Sequence, residues 1–415
     1  MKLTLALFAC FQLLACASTN GDAQLPIAPE MSIAPTQQEE KPLEIGAEQF
    51  EAYLPSLQGK SVALVVNQTS EIEGTHLVDL LIERGINIQK IFAPEHGFRG
   101  KAAAGEKIVD GKDPKTGLSI VSLYGKKKKP LPEDIAGVDV IVFDIQDVGV
   151  RFYTYLSTMH LVMEAAAEND IAFMVLDRPN PNGQLLDGPV LDIAFQSFVG
   201  MHEIPVAHGM TLGELAQMIK GQNWINKAEA LNLLVVPCKN YSRYDDYVLS
   251  VKPSPNLPSN AAIYAYPSLC FFEGTVVSCG RGTNFPFTIY GYPNFKRGTY
   301  LAKPTKNEGA KYPKFENDIC KFINVAPPVL QSGKSAMHRG KQNKLNWSYL
   351  WETYQDYPEQ KDFILENHFI DKLAGTDALR NALTDDWSIE QWTQSYAADL
   401  EAFKVLRRQY LIYPE

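Results

Sequence analysis

Two apolar runs of strand length each stop in a polar turn punctuated by glycine, and no other feature restricts this chain so sharply. The first runs from Ile88 to Ala93 and exits through Pro94, Glu95, His96, Gly97, Phe98, Arg99 and Gly100. The second runs from Val138 to Phe143 and exits through Asp144, Gln146, Asp147 and Gly149 towards Arg151, Tyr153 and Tyr155. In open α/β sheets ligands sit outside the carboxyl ends of the strands, so both polar clusters are expected to face one crevice.

The neighbouring pattern calls for such a sheet. Ser61 to Val66 is a third apolar run with a polar exit at Asn67 to Thr69, and Thr75 reads as the N-cap of a helix that carries Leu77, Leu80 and Leu81 and stops at Gly85. Leu118 to Leu123 is a short strand, and Leu156, Met159, Met163 and Ala166 form the apolar stripe of another helix. Ile171 to Leu176 ends in Asp177-Arg-Pro-Asn180-Pro-Asn182-Gly183, where two prolines forbid continued regular structure. Thr211 and Glu214 make a capping box, and Leu231 to Val236 returns to strand. This alternation predicts an α/β protein with a mostly parallel sheet covered by helices on both faces. After Pro237 the rhythm changes: residues 238 to 310 are rich in Pro, Gly, Tyr and Asn without helical period, and Trp387 to Leu411 reads as a closing amphipathic helix. A boundary near residue 237 divides a sheet domain, 42–237, from a smaller domain, 238–415.

Composition limits the partners. A formal net charge of -9 and a pI near 5.4 argue against nucleic acid, and the one dense basic run, Lys126 to Lys129, reads as a solvated loop. The N-terminus, Lys2 followed by apolar Leu3 to Leu14 and then Leu-Leu-Ala-Cys16, is too short to span a bilayer and resembles a bacterial lipoprotein signal, 1–16, with lipidation at Cys16. Ala17 follows the cysteine, a pattern that resembles outer-membrane-directed lipoproteins, and residues 17–41 are a polar tether. Cys238, Cys270, Cys279 and Cys320 remain, without a C-x-x-C pair that would suggest zinc. A Cys270–Cys279 disulfide and buried free thiols both fit this spacing.

Glu95 is held in a turn beside Phe92 and Phe98, where a carboxyl group suits proton donation, although capping of that turn or pairing with Arg99 also explains it. Asp144 and Gln146 share one strand face, and with Asp147 they need partners if buried. Arg151 offers a guanidinium fork for a carboxylate, and Tyr153 and Tyr155 offer aromatic faces for an apolar ring surface. In the second domain one stretch combines Glu273, Arg281 and Asn284 with four glycines, an arrangement that suits either a ligand or an internal ion pair.

These segments, F-A-P-E-H-G-F-R-G, D-I-Q-D-V-G-V-R-F-Y-T-Y, D-R-P-N-P-N-G, H-G-M-T-L-G-E-L, P-S-P-N-L-P and F-E-G-T through R-G-T-N, occur in order across Ile45 to Pro414. Together they resemble the exo-β-N-acetylmuramidases of the NamZ type. The resemblance implies a Rossmann-like domain, a second, smaller α+β domain and an active site in the cleft between them. It implies release of terminal N-acetylmuramic acid from the non-reducing end of peptidoglycan glycans or muropeptide fragments. No cofactor is expected, and no metal, since no H-x-H or H-E-x-x-H spacing occurs. Carried onto this chain, the resemblance makes Glu95 the catalytic acid with His96 beside it. Glycoside hydrolysis normally uses a second carboxyl group, for which Asp144 or Asp147 is the candidate; alternatively the 2-acetamido group of the sugar serves as nucleophile with a carboxylate orienting it. Arg99, Gln146, Arg151, Tyr153, Asn180, His208, Glu273, Arg281 and Asn284 become the substrate-binding set. Asn182 departs from the more apolar residue expected in its loop. A lipid-anchored receptor that binds sugars without turnover is the competing class, and a metal-dependent hydrolase is a third; turnover of a muramic acid glycoside with and without chelator separates them.

Overall fold

The computed structural model describes residues 41–95, 97–98, 110–326 and 343–415, and Pro42 to Glu415 form one compact unit. The six parallel strands are β1 (Ser61–Val66), β2 (Asn87–Ala93), β3 (Ser119–Ser122), β4 (Val140–Asp144), β5 (Ala172–Leu176) and β8 (Leu233–Val236), with the hairpin β6 (Leu186–Val190) and β7 (Pro205–His208) outside the sheet. Their spatial order is β8-β5-β4-β1-β2-β3, closed at the β3 edge by the antiparallel pair Gly111–Lys112. The chain builds outward from β1 to β3 and then returns to lay β4 on the other flank of β1, so the order reverses between β1 and β4. That reversal opens a crevice at the carboxyl ends of those strands.

Side-chain alternation sends each strand into two cores. Ala63, Val65, Ile141, Phe143 and Phe173 face helices α3 (Tyr155–Glu168) and α4 (Leu212–Gly221), whereas Val62, Leu64, Val140 and Val142 face helices α1 (Phe50–Leu57) and α2 (Leu77–Glu83). The capping box forms as expected: Thr211 Oγ1 accepts from the Glu214 amide and Glu214 Oε2 from the Thr211 amide. The cap of α2 lies one residue later than expected, at His76, whose Nδ1 accepts from the Val78 amide while Thr75 pairs in a two-residue strand.

Beyond the sheet the chain contains an antiparallel three-stranded sheet of β9 (Ile289–Tyr292), β10 (Tyr300–Ala302) and β11 (Cys320–Asn324), with β11 central, followed by short helices to the C-terminus. Three expectations need correction here. Helix α5 (Asn260–Leu269) occupies part of the stretch that lacked helical period; its Pro267 and aromatic residues hide it, while Ser259 caps it. The closing segment is two helices, Ile389–Ser395 and Ala397–Arg407, broken at Tyr396, whose hydroxyl binds Trp347 Nε1 and Asp187. The basic run also differs from a solvated loop: Lys129 pairs with Glu164 and Glu168, Lys127 with Asp110 and Asp134, and Lys128 lies over Phe198. All four described cysteines are buried free thiols.

Candidate active site

A cavity of about 240 Å³ opens where the loops after β2 and β4 meet the second half of the chain. Glu95 reaches it from the turn after β2, Tyr153 and Thr154 from the loop that leads into α3, and Tyr155 from the first position of that helix. Glu273, Arg281 and Tyr266 come from the other half. The residues between the strands and the cavity explain why these side chains converge. Thr154 at the start of α3 donates its hydroxyl to Glu95 Oε2 at 2.8 Å, and the Tyr155 hydroxyl lies 3.5 Å from the Glu95 carbonyl, so the acid is held at the amino end of a helix. Tyr153 is fixed by its hydroxyl, which donates to the Pro253 carbonyl at 2.7 Å.

The two halves are joined by aromatic rings. Phe152 and Tyr153 pack edge-on against Tyr266 of α5, with centroids 5.4 and 6.1 Å apart, and Tyr266 in turn meets Phe287 at 4.7 Å. Arg281 stacks its guanidinium over Phe287 and pairs its Nε with Glu273 Oε1 at 2.5 Å. Gly280 and Gly282 on either side of Arg281 have φ of +79° and +83°, a conformation a side chain resists, and a Cβ on Gly282 would lie 2.6 Å from Pro313. These glycines turn the backbone sharply enough to aim Arg281 at the cavity, where a quarter of its side chain stays exposed.

Other expected site residues lie beneath this surface. Asp144 is fully buried and receives Arg178 bidentately, Nε to Oδ1 at 2.5 Å and Nη2 to Oδ2 at 2.9 Å. Gln146 donates to the carbonyls of Asp147 and Pro179, and its amide donates to Thr69, tying the exits of β1 and β4 together. Arg151, expected to grip a carboxylate, has no exposed surface; its Nη groups donate to the carbonyls of Pro189, Ile204, Leu373 and Ala374, so it holds the fold and cannot reach a ligand. Asn180 donates to the Met210 carbonyl, and Asn182 donates to those of Val148 and Ile263. A polar residue at position 182 is therefore used to join the sheet to α5. His208 is wholly buried and held down to about 3 by burial and by Arg407, Arg151 and Arg243, which keeps it neutral. Asn284 is exposed in the turn after Arg281 and does not border the cavity, while His96 and Arg99 lie outside the described residues. Among the described residues, no three His, Cys, Asp or Glu side chains are placed to hold a metal ion.

Asp147 is buried, with Oδ2 accepting from the Gly149 amide and Oδ1 lacking a donor among the described residues. Gly149 has φ of +82° and lies against Asn180, where a Cβ would meet Oδ1 at 2.2 Å, so this turn admits no side chain. Burial pushes the Asp147 carboxyl from 3.8 up to about 7, against the opposing pull of the Gly149 and Val148 amides. A carboxyl that binds its proton more tightly in the native state stabilises the fold most at low pH and loses that contribution as pH rises through about 7. We therefore expect the melting temperature of the wild type to fall across this window relative to Asp147→Asn; parallel curves would place the buried charge elsewhere. Asp177, raised to about 6 by its own burial, is present in both proteins and cancels from the comparison.

Several cavity residues carried no recognisable signal in the sequence. Phe198, Val199 and Phe369 are isolated apolar residues in loops or at a helix start, and only the fold brings them here. Ser254 and Asn256 fall within P-S-P-N-L-P, which carried the family resemblance without a role being given to either residue. Asn256 anchors its loop through the Gly309 carbonyl at 2.7 Å.

Comparison with known proteins places this geometry in a family. Residues 62–261 match the family described as exo-beta-N-acetylmuramidase NamZ, N-terminal, and residues 264–413 match its C-terminal counterpart. The peptidoglycan beta-N-acetylmuramidase NamZ of Bacillus subtilis (strain 168) is 39% identical over 375 residues, 87% of this chain and 89% of that protein. A crystal structure of a DUF1343 family protein from Bacteroides fragilis superposes with a TM-score of 0.80 at 40% identity, covering 90% of this chain and 100% of the other. A second protein of that family from the same organism gives 0.77 at 29% identity, covering 90% and 99%.

Proposed function

The chain belongs to the NamZ family of exo-β-N-acetylmuramidases, and on that premise we propose that it releases N-acetylmuramic acid from the non-reducing end of peptidoglycan glycans or muropeptide fragments. The observation that carries this reading is the meeting of Glu95, Glu273, Arg281 and an aromatic bed in one cavity. Glu95 supplies the proton to the departing sugar oxygen, and the rings of Tyr153 and Tyr266 present apolar faces to a pyranose. Turnover, with release of free muramic acid from a disaccharide that carries it at the non-reducing end, separates this enzyme from a receptor that only binds.

N-acetylmuramic acid differs from N-acetylglucosamine by a lactyl ether that ends in a carboxylate, a group that an arginine fork recognises. With Arg151 buried, Arg281 is the arginine of the cavity wall among the described residues. Replacing Arg281 by Lys or Met is expected to weaken the muramic substrate much more than an analogue without the lactyl group. Equal losses for both would assign Arg281 to holding the fold alone.

Cys16 and the segment before it lie outside the described residues, and the lipoprotein-like pattern supports an enzyme anchored by lipid, in the outer membrane and facing the periplasm. Metabolic labelling with a palmitate analogue is expected to mark the wild type and not Cys16→Ser. Unlabelled wild-type protein would remove the anchor.

A further inference from the structure

We propose that Glu273 is the carboxylate that works with Glu95, meeting the positive charge that develops on the sugar ring as the glycosidic bond breaks. The inference rests on the glycosidase reading and supplies the second carboxyl group that glycoside hydrolysis normally uses. The sequence directed that role to Asp144 or Asp147, and the structure withholds both from the cavity. Asp144 is fully buried and bound at both oxygens by Arg178. Asp147 lies under the turn closed by Gly149. Among the described residues that line the cavity, Glu95 and Glu273 are the two acids, and they come from opposite halves of the chain.

Glu273 is also built to hold its direction. It stands on the 3₁₀ turn Cys270–Gly274, whose last residue is pressed so closely against the backbone of the helix Phe369–Ala374 that a Cβ on Gly274 would lie 2.5 Å from the Ile370 nitrogen. One oxygen faces Arg281 Nε at 2.5 Å, and the other faces the Cys270 thiol at 3.7 Å. Burial, with the Glu273 charge beside it, raises the Cys270 pKa well above its usual value, so the sulfur keeps its proton and acts as a donor. A carboxylate fixed from both sides loses little freedom when substrate arrives, which is the preorganisation electrostatic catalysis needs.

In the step so described, the leaving oxygen takes the proton of Glu95 as its bond to the anomeric carbon breaks. The cationic ring that remains lies against the Glu273 charge. Water then adds to the anomeric carbon, and its proton restores the acid form of Glu95, directly or through solvent.

The test compares wild type, Glu273→Gln and Glu273→Ala on two substrates, a disaccharide with non-reducing N-acetylmuramic acid and the corresponding dinitrophenyl glycoside, whose aglycone leaves without protonation. Loss of a charge that acts only in the transition state is expected to slow Glu273→Gln by about 10²–10³-fold on both substrates with KM little changed. Sodium formate, a small carboxylate able to enter the vacated space, is expected to restore part of the turnover of Glu273→Ala; a residue that only supports the fold gives no such rescue. Should Glu273→Ala fail to fold, the isosteric Glu273→Gln still supplies the comparison of leaving groups. Full activity in Glu273→Gln, loss confined to the disaccharide, or a folded Glu273→Ala that formate does not rescue overturns the assignment. Wild-type protein that cleaves neither substrate overturns the glycosidase reading itself, and the assignment of Glu273 with it.

Discussion

Glu95→Gln is expected to lose about 10²–10⁴-fold of its turnover on a substrate with a natural sugar leaving group, the range general acid catalysis contributes. The substitution keeps size and the partnership with Thr154, so binding and fold are expected to survive. The leaving group decides whether the lost function is proton donation. A sugar alkoxide is a poor leaving group that needs the proton, whereas dinitrophenolate departs without it, so the variant should be far less impaired on the dinitrophenyl glycoside. Equal impairment on both would make Glu95 a nucleophile or an orienting group and would move the acid elsewhere.

Breaking the ion pair of Asp144 and Arg178 is expected to give the largest loss of stability. Neither side chain has appreciable contact with water, and removing one partner leaves the other charge buried and uncompensated, at a cost of about 3–5 kcal/mol. Asp144→Ala and Arg178→Met should each lower the unfolding free energy obtained from urea titration by an amount of that order. The double variant Asp144→Leu with Arg178→Met should lose less than either alone, because no orphaned charge remains. If Asp144→Ala unfolded like the wild type yet lost activity, Asp144 would belong to the chemistry and not to the frame.

The sheet was legible because apolar runs of strand length, each followed by a polar exit, can hardly form anything else between helical stripes. The crevice was expected from the polar exits of those runs, whereas the strand order that opens it came from the structure. Helix α5 was hidden because Pro267 and tyrosines mimic a loop until Ser259 is seen to cap it. Within the site, Glu95, Tyr153, Glu273 and Arg281 were legible as residue types suited to a charged sugar, and the fold does bring them together. Asp144, Arg151, Asn180 and His208 show what a string leaves open. A polar residue at a strand exit is equally suited to a ligand and to main-chain groups that lack other partners, and only burial distinguishes the two uses. The four carbonyls that receive Arg151 lie 38 to 223 positions away, so no local pattern announces them.

Those four carbonyls make Arg151 a register of completeness. The guanidinium hangs from the loop that delivers Tyr153 and Thr154 to the cavity, yet two of its acceptors, Leu373 and Ala374, arrive only with the last part of the chain. A nascent or truncated polypeptide that stops short of them has its sheet sequence in full but leaves this cation half-satisfied inside an apolar region. The working loop can therefore settle only when the C-terminal helices have docked. Polypeptide ending before residue 373 is in this sense unarmed: it carries the sheet sequence but not the partners that fix the loop bearing Tyr153 and Thr154.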